Sequence, residues 1–301
     1  MNILVTGGTG FIGRALVKAL LADGHRVTLL AHQTLPKEKD SCFIMRSLSE
    51  WSPDQSFEAV INLSGAPIMG QRWSTSRKKV LWDSRIGITE QLLERMSAAT
   101  IKPRILISGS AIGIYGDQGE RPLSEDDQGN HGFAHDLCLA WEEAALKAEA
   151  LGIRVAILRT GLVVGRNGGF LQPMRIPFSL GLGGRIGDGQ QWMSWIHLDD
   201  HIALTRLLLA SKGARGLFNA TAPNPVTNQV FTQLLAHQLQ RPAFCHIPGW
   251  FLKGLLGEMA ELLLGSQRVL PKRAEALGFR FSYPTLESAL EEALRRSKGS
   301  L

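Results

Sequence analysis

Apolar positions along the chain follow two alternating patterns. Short, mostly apolar runs at 3–5, 26–31, 42–45, 58–63, 104–108, 153–158 and 216–219 have the length and composition of buried strands. Between them, apolar residues recur every three or four positions. Phe11, Ile12, Ala15, Leu16, Ala19 and Leu20 form one such stripe, stopped by Asp23-Gly24. Val80, Leu81, Ile88, Leu92 and Met96 form another and predict one long helix over 76–97. A third helix is expected from about 133 to 150, ending at Leu151-Gly152. Strands separated by helices predict an α/β fold, a doubly wound parallel sheet of right-handed crossovers. The regularity stops after Gly165. Residues 1–165 are therefore read as one domain, and 166–301 as a smaller mixed region with a C-terminal extension that packs on the substrate side.

The first strand runs into Thr6-Gly7-Gly8-Thr9-Gly10-Phe11-Ile12-Gly13. Gly7, Gly10 and Gly13 stand three apart between a strand and a helix, and each has a separate reason. Gly7 allows a turn too tight for a Cβ. Gly10 lets the backbone approach a pyrophosphate. Gly13 lets the helix lie close on the strand. The N–H groups around Thr9, Phe11 and Ile12 then face the phosphates, aided by the helix dipole. This makes 1–165 a dinucleotide-binding domain of Rossmann type.

The residue after the second strand meets the adenosine ribose. A carboxylate there favours NAD, and a cation favours the 2′-phosphate of NADP. The chain offers Ala31-His32-Gln33, with no carboxylate. His32 is the candidate phosphate donor, and NADP(H) is the expected cofactor.

Thr-Gly-Gly-Thr-Gly-Phe-Ile-Gly resembles the fingerprint of the short-chain dehydrogenase/reductase superfamily, in its extended, epimerase-like branch. The resemblance implies further contacts. The turn Asn62-Leu63-Ser64-Gly65 would run beside the cofactor's ribose and phosphates, with backbone contact from Leu63, Ser64 and Gly65. The close family has Glu where this chain has Ala66. Arg85, from a Ser84-Arg85 pair, is implied as a cofactor contact, with a surface salt bridge as its alternative. Ser110 would hold the substrate oxygen, with Ser108 second and counted with the cofactor site. Tyr115-Gly116 would line the substrate side. The turn from Thr160 to Val163 would close over the nicotinamide.

The superfamily's proton donor is a Tyr with a Lys four residues later, on one helical face. Neither Tyr115 nor Tyr283 has that Lys. If Glu142 marks the register, Ala134 stands at the Tyr position and Cys138 at the Lys position. Phe-x-x-x-Leu-Cys-x-x-Trp-Glu, from Phe133 to Glu142, resembles the atypical epimerase-family proteins that lack the pair. Some of these are labelled nucleoside-diphosphate-sugar epimerases and others cell-division-inhibitor-like. The blocks 159–165 and 181–200 resemble the same family. Tyr115 and then His135 are the candidate proton donors, with Ser110 orienting the oxygen. Arg185, Gln190 and Trp192 are expected against the substrate. The implied function is an NADP(H)-dependent oxidoreductase or epimerase-like enzyme on a small phosphorylated or nucleotide-linked substrate. A cofactor-holding sensor without turnover is the alternative.

Composition narrows the partners. Hydrophobic content of 44% and a formal charge of +6 fit an ordinary soluble protein, and no apolar run reaches the ~18 residues of a membrane span. The chain goes directly from Met1 into a strand, which reads as cytoplasmic, without a signal peptide. Cys42, Cys138 and Cys245 suggest a reducing compartment rather than a disulfide frame. Arginine-rich runs with interleaved aromatics are missing, so neither nucleic acid nor membrane is an expected partner, and a homodimer is left open. His197 and His201 have zinc-like spacing but no third ligand in the sequence. Asp199 or Asp200 instead reads as an N-cap for a helix over 202–209, and no metal is expected.

Overall fold

The computed structural model describes residues 1–31, 41–166 and 168–295. Its contacts divide into two compact units. The first comprises Met1–Ile114, Phe133–Arg159 and Ile202–Phe218, and the second Tyr115–Gly132, Thr160–His201 and Asn219–Leu301.

The main sheet has seven strands: β1 (Asn2–Thr6), β2 (Arg26–Leu30), β3 (Cys42–Met45), β4 (Ala59–Asn62), β5 (Ile105–Ala111), β6 (Arg154–Thr160) and β7 (Gly216–Ala220). Their spatial order is β7-β6-β5-β4-β1-β2-β3. β1 pairs in parallel with β2 and with β4, β2 with β3, and β4 with β5. Every strand anticipated in this sheet is present. The chain builds outward from β1 to β3, then returns to lay β4 on the other side of β1. That reversal puts the switch point of the sheet between the carboxyl ends of β1 and β4, where open α/β sheets hold their ligands.

The first unit's helices include α1 (Phe11–Ala22), α2 (Thr75–Trp82), α3 (Ile88–Ala98) and α4 (Phe133–Leu146). Leu4, Val60, Leu106, Val155 and Ile157 project from one side of the strands onto Leu92 and Met96 of α3, with Trp51 and Phe57 stacked edge to face. Each such side chain contributes about 1.5–3 kcal/mol through burial.

Two expectations change. The helix over 76–97 is unbroken but not uniformly α: α2 runs into α3 through a π-helical turn at Asp83–Gly87, which carries Ser84 and Arg85. Such turns admit an extra residue into a helix and often mark functional positions. The division of the chain is also not a single cut at 165. Segments 115–132 and 160–201 leave the first unit after β5 and β6, and the chain returns at 202–218 to add most of β7.

The second unit has its own core. Val164, Trp195, Phe231, Leu235, Leu286 and Leu290 are fully or nearly fully buried there, on helices Asn228–Leu239 and Leu286–Leu294 and short paired strands.

Candidate functional site

The glycine turn after β1 divides by what a side chain would meet. Gly7 has φ +68°, and a Cβ on it would lie 2.3 Å from the Leu63 carbonyl oxygen. A Cβ on Gly13 would lie 2.2 Å from the Gly7 oxygen and 2.7 Å from Gly8 Cα. Both positions are closed by the protein's own backbone. Gly10 differs: its φ is −73°, and a Cβ would approach only the Gly7 oxygen, at 3.2 Å. A side chain there would ask a shift of only a few tenths of an ångström from that oxygen, so the fold closes Gly10 far less than Gly7 or Gly13. Gly10 is the N-cap of α1, no side chain caps that helix, and Thr9 and Gly10 are exposed while Phe11 and Ile12 are half-buried. An uncapped helix start behind an open glycine suits a phosphate.

The turn after β4 is held by a buried network. Thr6 Oγ1 donates to Asn62 Oδ1 (2.6 Å), Asn62 Nδ2 donates to Thr89 Oγ1 (2.8 Å), and Thr89 Oγ1 donates to the Arg85 carbonyl (2.7 Å). The network ties β1, β4 and the start of α3 together. Beyond it, Ser64 N donates to Asn62 Oδ1 and Ala66 N to Ser84 Oγ. Arg85 donates to the carbonyls of Ala66 (3.1 Å) and Leu81 (3.2 Å), and its guanidinium lies 5.4 Å from the Trp141 ring centre. A Cβ on Gly65 would meet Arg85 Cζ at 2.9 Å, so Gly65 makes room for the guanidinium. Burial pulls the Arg85 pKa below its ordinary value. Arg85 is held by the carbonyls of Ala66 and Leu81 rather than in a surface ion pair, and its donors brace the turn. The π-helical turn sets both Ser84 and Arg85 toward Ala66.

At the end of β5, Ser108 is fully buried and donates to the Gly109 carbonyl. Ser110 is 4% exposed and donates to Glu142 Oε1 at 2.6 Å. Glu142, from α4, is gripped by Arg159 through Nε (2.9 Å) and Nη2 (2.8 Å) in a buried ion pair. Cys138 lies one helical turn before Glu142. Desolvation, then the neighbouring Glu142 charge, pushes its thiol up to about 11, so the position that Lys would fill is a neutral thiol. A Cβ on Gly113 would lie 3.4 Å from Ala134 Cβ and 3.8 Å from Cys138 Sγ. The helix therefore lies closely on the turn after β5 at the Tyr and Lys positions. His135 turns away from Ala134 and places Nδ1 against the Ile114 carbonyl. A carbonyl only accepts, so Nδ1 carries a proton.

These contacts change the reading of Ser110. Its hydrogen is given to Glu142, so Oγ offers lone pairs rather than a donor to a substrate carbonyl. His32 lies outside the described residues.

In the second unit, Tyr115 is fully buried, and its hydroxyl lies 2.7 Å from Asn219 Oδ1 and 3.0 Å from the Ser124 carbonyl. Asn219 in turn donates to the Leu270 carbonyl at 3.0 Å. A phenol so enclosed fixes structure, and the structure does not favour Tyr115 as proton donor. Val163 is buried in a strand paired with Ile196. Arg185 is exposed on the strand Gly184–Ile186, Gln190 is exposed with its amide toward Gln229, and Trp192 stacks under the Arg268 guanidinium at 4.5 Å.

The motif His197-Leu-Asp-Asp-His201 has a role that the sequence did not disclose. Its helix begins at Leu198, and Asp200 is not an N-cap. Its buried carboxylate accepts from the backbone N–H groups of Ser282 (2.8 Å) and Tyr283 (3.0 Å). His197 Nε2 lies 3.1 Å from Glu292, and His201 Nε2 lies 3.1 Å from Thr160 Oγ1. The motif is the anchor of the C-terminal extension. Ser282, Tyr283 and Glu292 stand 82 to 95 residues downstream of the residues they meet, too far for local pattern to link them.

The profile of the NAD-dependent epimerase/dehydratase family matches residues 3–220, and a domain of unknown function, DUF1731, matches residues 247–293. The chain is 39% identical to the epimerase family protein SDR39U1 homolog, chloroplastic, of Arabidopsis thaliana, over 98% of this chain and 87% of that one. It is 37% identical to the epimerase family protein YfhF of Bacillus subtilis, over 99% of both. Among solved structures, human epimerase family protein SDR39U1 (isoform 2) with NADPH superposes with a TM-score of 0.89 at 33% identity, covering 97% of this chain and 99% of that one. A nucleoside-diphosphate sugar epimerase from Corynebacterium glutamicum gives 0.75 at 29% identity, covering 98% of this chain and 58% of that one.

Proposed function

This chain belongs to the NAD-dependent epimerase/dehydratase family, and on that premise we propose that it binds NADP(H) and acts as an oxidoreductase or epimerase-like enzyme on a small phosphorylated or nucleotide-linked substrate. The observation that carries the reading is Gly10: an ordinary backbone conformation, a Cβ position that meets a single backbone oxygen at 3.2 Å, and an uncapped helix behind it. Gly7 and Gly13 shape the turn, Leu63, Ser64 and Gly65 form the facing edge across the switch point, and Arg85 braces that edge. The 2′-phosphate preference rests on the lack of a carboxylate directly after β2 and on the NADPH held by the human relative. Arg185 is a cation for a substrate phosphate. When bound, the nicotinamide supplies hydride transfer.

One set of contacts favours a second reading, a cofactor-holding sensor without turnover. Ser110 and Tyr115 already donate to protein acceptors, His135 Nδ1 is held by a carbonyl, and the Cys138 thiol is neutral. Two measurements separate the readings. Mass spectrometry of the purified protein identifies a retained nucleotide, and a panel of aldehydes, ketones and nucleotide sugars then tests for NADPH consumption or epimerisation. Retained or tightly bound NADPH with turnover of any member supports the enzyme. Tight NADPH with an inert panel supports the sensor. Failure to bind either nicotinamide dinucleotide overturns both.

A further inference from the structure

Among the described residues, seven large apolar side chains are more than 55% exposed, and six of them fall on two segments of the second unit. Ile176, Leu180 and Leu182 lie on 172–185, and Phe244, Trp250 and Leu255 on 241–256. The segments are neighbours in space. Arg241 Nε donates to the Ser179 carbonyl at 2.9 Å, and Cys245 N to the Gly183 carbonyl at 3.2 Å. The strands Gly184–Ile186 and Cys245–Ile247 then pair in parallel, with Arg185 opposite His246. Helix Gly249–Leu256 follows directly and buries Leu252 while exposing Trp250 and Leu255.

Charge distinguishes this surface from a general apolar patch. Besides Arg185, assigned above to a substrate phosphate, segments 172–185 and 241–256 contain Arg175, Arg241 and Lys253, all exposed, and no carboxylate. We propose that these two segments form a docking surface for an anionic phospholipid bilayer, on which the protein lies peripherally.

Projecting Trp, Phe and Leu side chains enter the boundary between headgroups and acyl chains, while flanking Lys and Arg are drawn to anionic lipid. A second copy of the chain is the poorer occupant, because self-pairing would bring the same cations together with no carboxylate in either segment to offset them. No helix among the described residues is long and apolar enough to cross a membrane, so the mode is adsorption and not insertion. The sequence concealed the surface because its two halves are some sixty residues apart and neither is long enough to suggest a membrane.

The test is co-sedimentation of the full chain with vesicles of phosphatidylglycerol and phosphatidylcholine, against phosphatidylcholine alone. Binding is expected to be at least ~10-fold stronger to the anionic vesicles. The exposed double variant Phe244→Ser/Trp250→Ser, and separately Arg175→Glu/Lys253→Glu, should each weaken it by at least ~10-fold. Unchanged circular dichroism and NADPH affinity would show that the variants fold. Failure of the wild-type chain to sediment with anionic vesicles overturns the proposal, and so does binding that survives both double variants. If sedimentation velocity shows instead a dimer that Phe244→Ser/Trp250→Ser dissociates, with no vesicle binding, the surface serves a second copy and the lipid assignment is wrong.

Discussion

Ser110 donates to Glu142 across 2.6 Å, and both are buried where the carboxyl end of β5 meets α4. The serine thus belongs to a small polar core whose other member, Arg159, holds the same carboxylate with two donors. Removing one partner of a buried ion pair leaves an uncompensated charge. Arg159→Met should therefore cost about 3–5 kcal/mol of stability, against about 1–3 kcal/mol for Ser110→Ala. The double variant Glu142→Gln/Arg159→Met should cost less than the sum of its single changes. Urea unfolding measures all of these. Equal costs for Arg159→Met and Ser110→Ala would show that the pair does not organise this region.

The glycine turn makes a sharper contrast. Gly10→Val meets only one backbone oxygen and should leave the protein folded while abolishing NADPH binding. Gly13→Val drives Cβ into the Gly7 oxygen and should compromise folding itself, since that neighbour is backbone and cannot turn aside. Circular dichroism with calorimetry separates the two outcomes. A Gly10→Val protein that binds NADPH normally would place the phosphate site elsewhere.

Cofactor selectivity follows from what β2 lacks. NADPH should bind at least ~10-fold more tightly than NADH, about 1.4 kcal/mol, and His32→Ala should reduce that ratio. Calorimetry with both cofactors decides it. Equal affinities in the wild-type chain would remove the 2′-phosphate argument, and an unchanged ratio in the variant would remove His32 from it.

The sheet was legible because its evidence is local. Runs such as Ile3–Val5 and 58–63 carry strand signals within a few residues, and the spacing of Gly7, Gly10 and Gly13 states its purpose in eight. The π-helical turn at Asp83–Gly87 was not legible, because it leaves the apolar stripe of Val80, Leu81, Ile88 and Leu92 almost unchanged. The role of Asp200 was hidden for a different reason. A carboxylate near a helix start satisfies the N-cap rule whether its acceptors serve that helix or the distant Ser282 and Tyr283. Family resemblance carried Ser110 and Tyr115 into catalytic roles by position, whereas hydrogen bonding engages both within the protein.

His201 ties stability to pH. Its ring is buried, and burial lowers its pKa from 6.5 to about 4. The unfolded chain therefore takes up a proton near pH 6.5 that the folded chain refuses until about pH 4. Stability is unaffected above that window, falls as pH drops through it, and levels off below, with a total loss of about 3 kcal/mol. His201→Asn removes the titration and should flatten this part of the stability curve. Urea midpoints measured from pH 7.5 to 4 give the comparison, and an identical slope in both proteins would assign the acid sensitivity to other groups.

Tyr115 is the last test, because position and environment give opposite answers. As an acid–base group, its loss would slow turnover by ~100-fold or more. As a buried clamp, it links Ser124, Asn219 and, through Asn219, the carbonyl of Leu270 in the C-terminal extension. Tyr115→Phe keeps the ring and deletes only the donor, leaving Asn219 Oδ1 without its 2.7 Å partner. The expected result is a stability loss of about 1–3 kcal/mol, with any turnover per folded molecule changed less than ~3-fold. Denaturation and steady-state rates on the same preparation distinguish the roles. A full-stability variant with a ~100-fold slower rate would restore Tyr115 as the proton donor, because a structural clamp cannot be removed without thermodynamic effect while chemistry alone is lost.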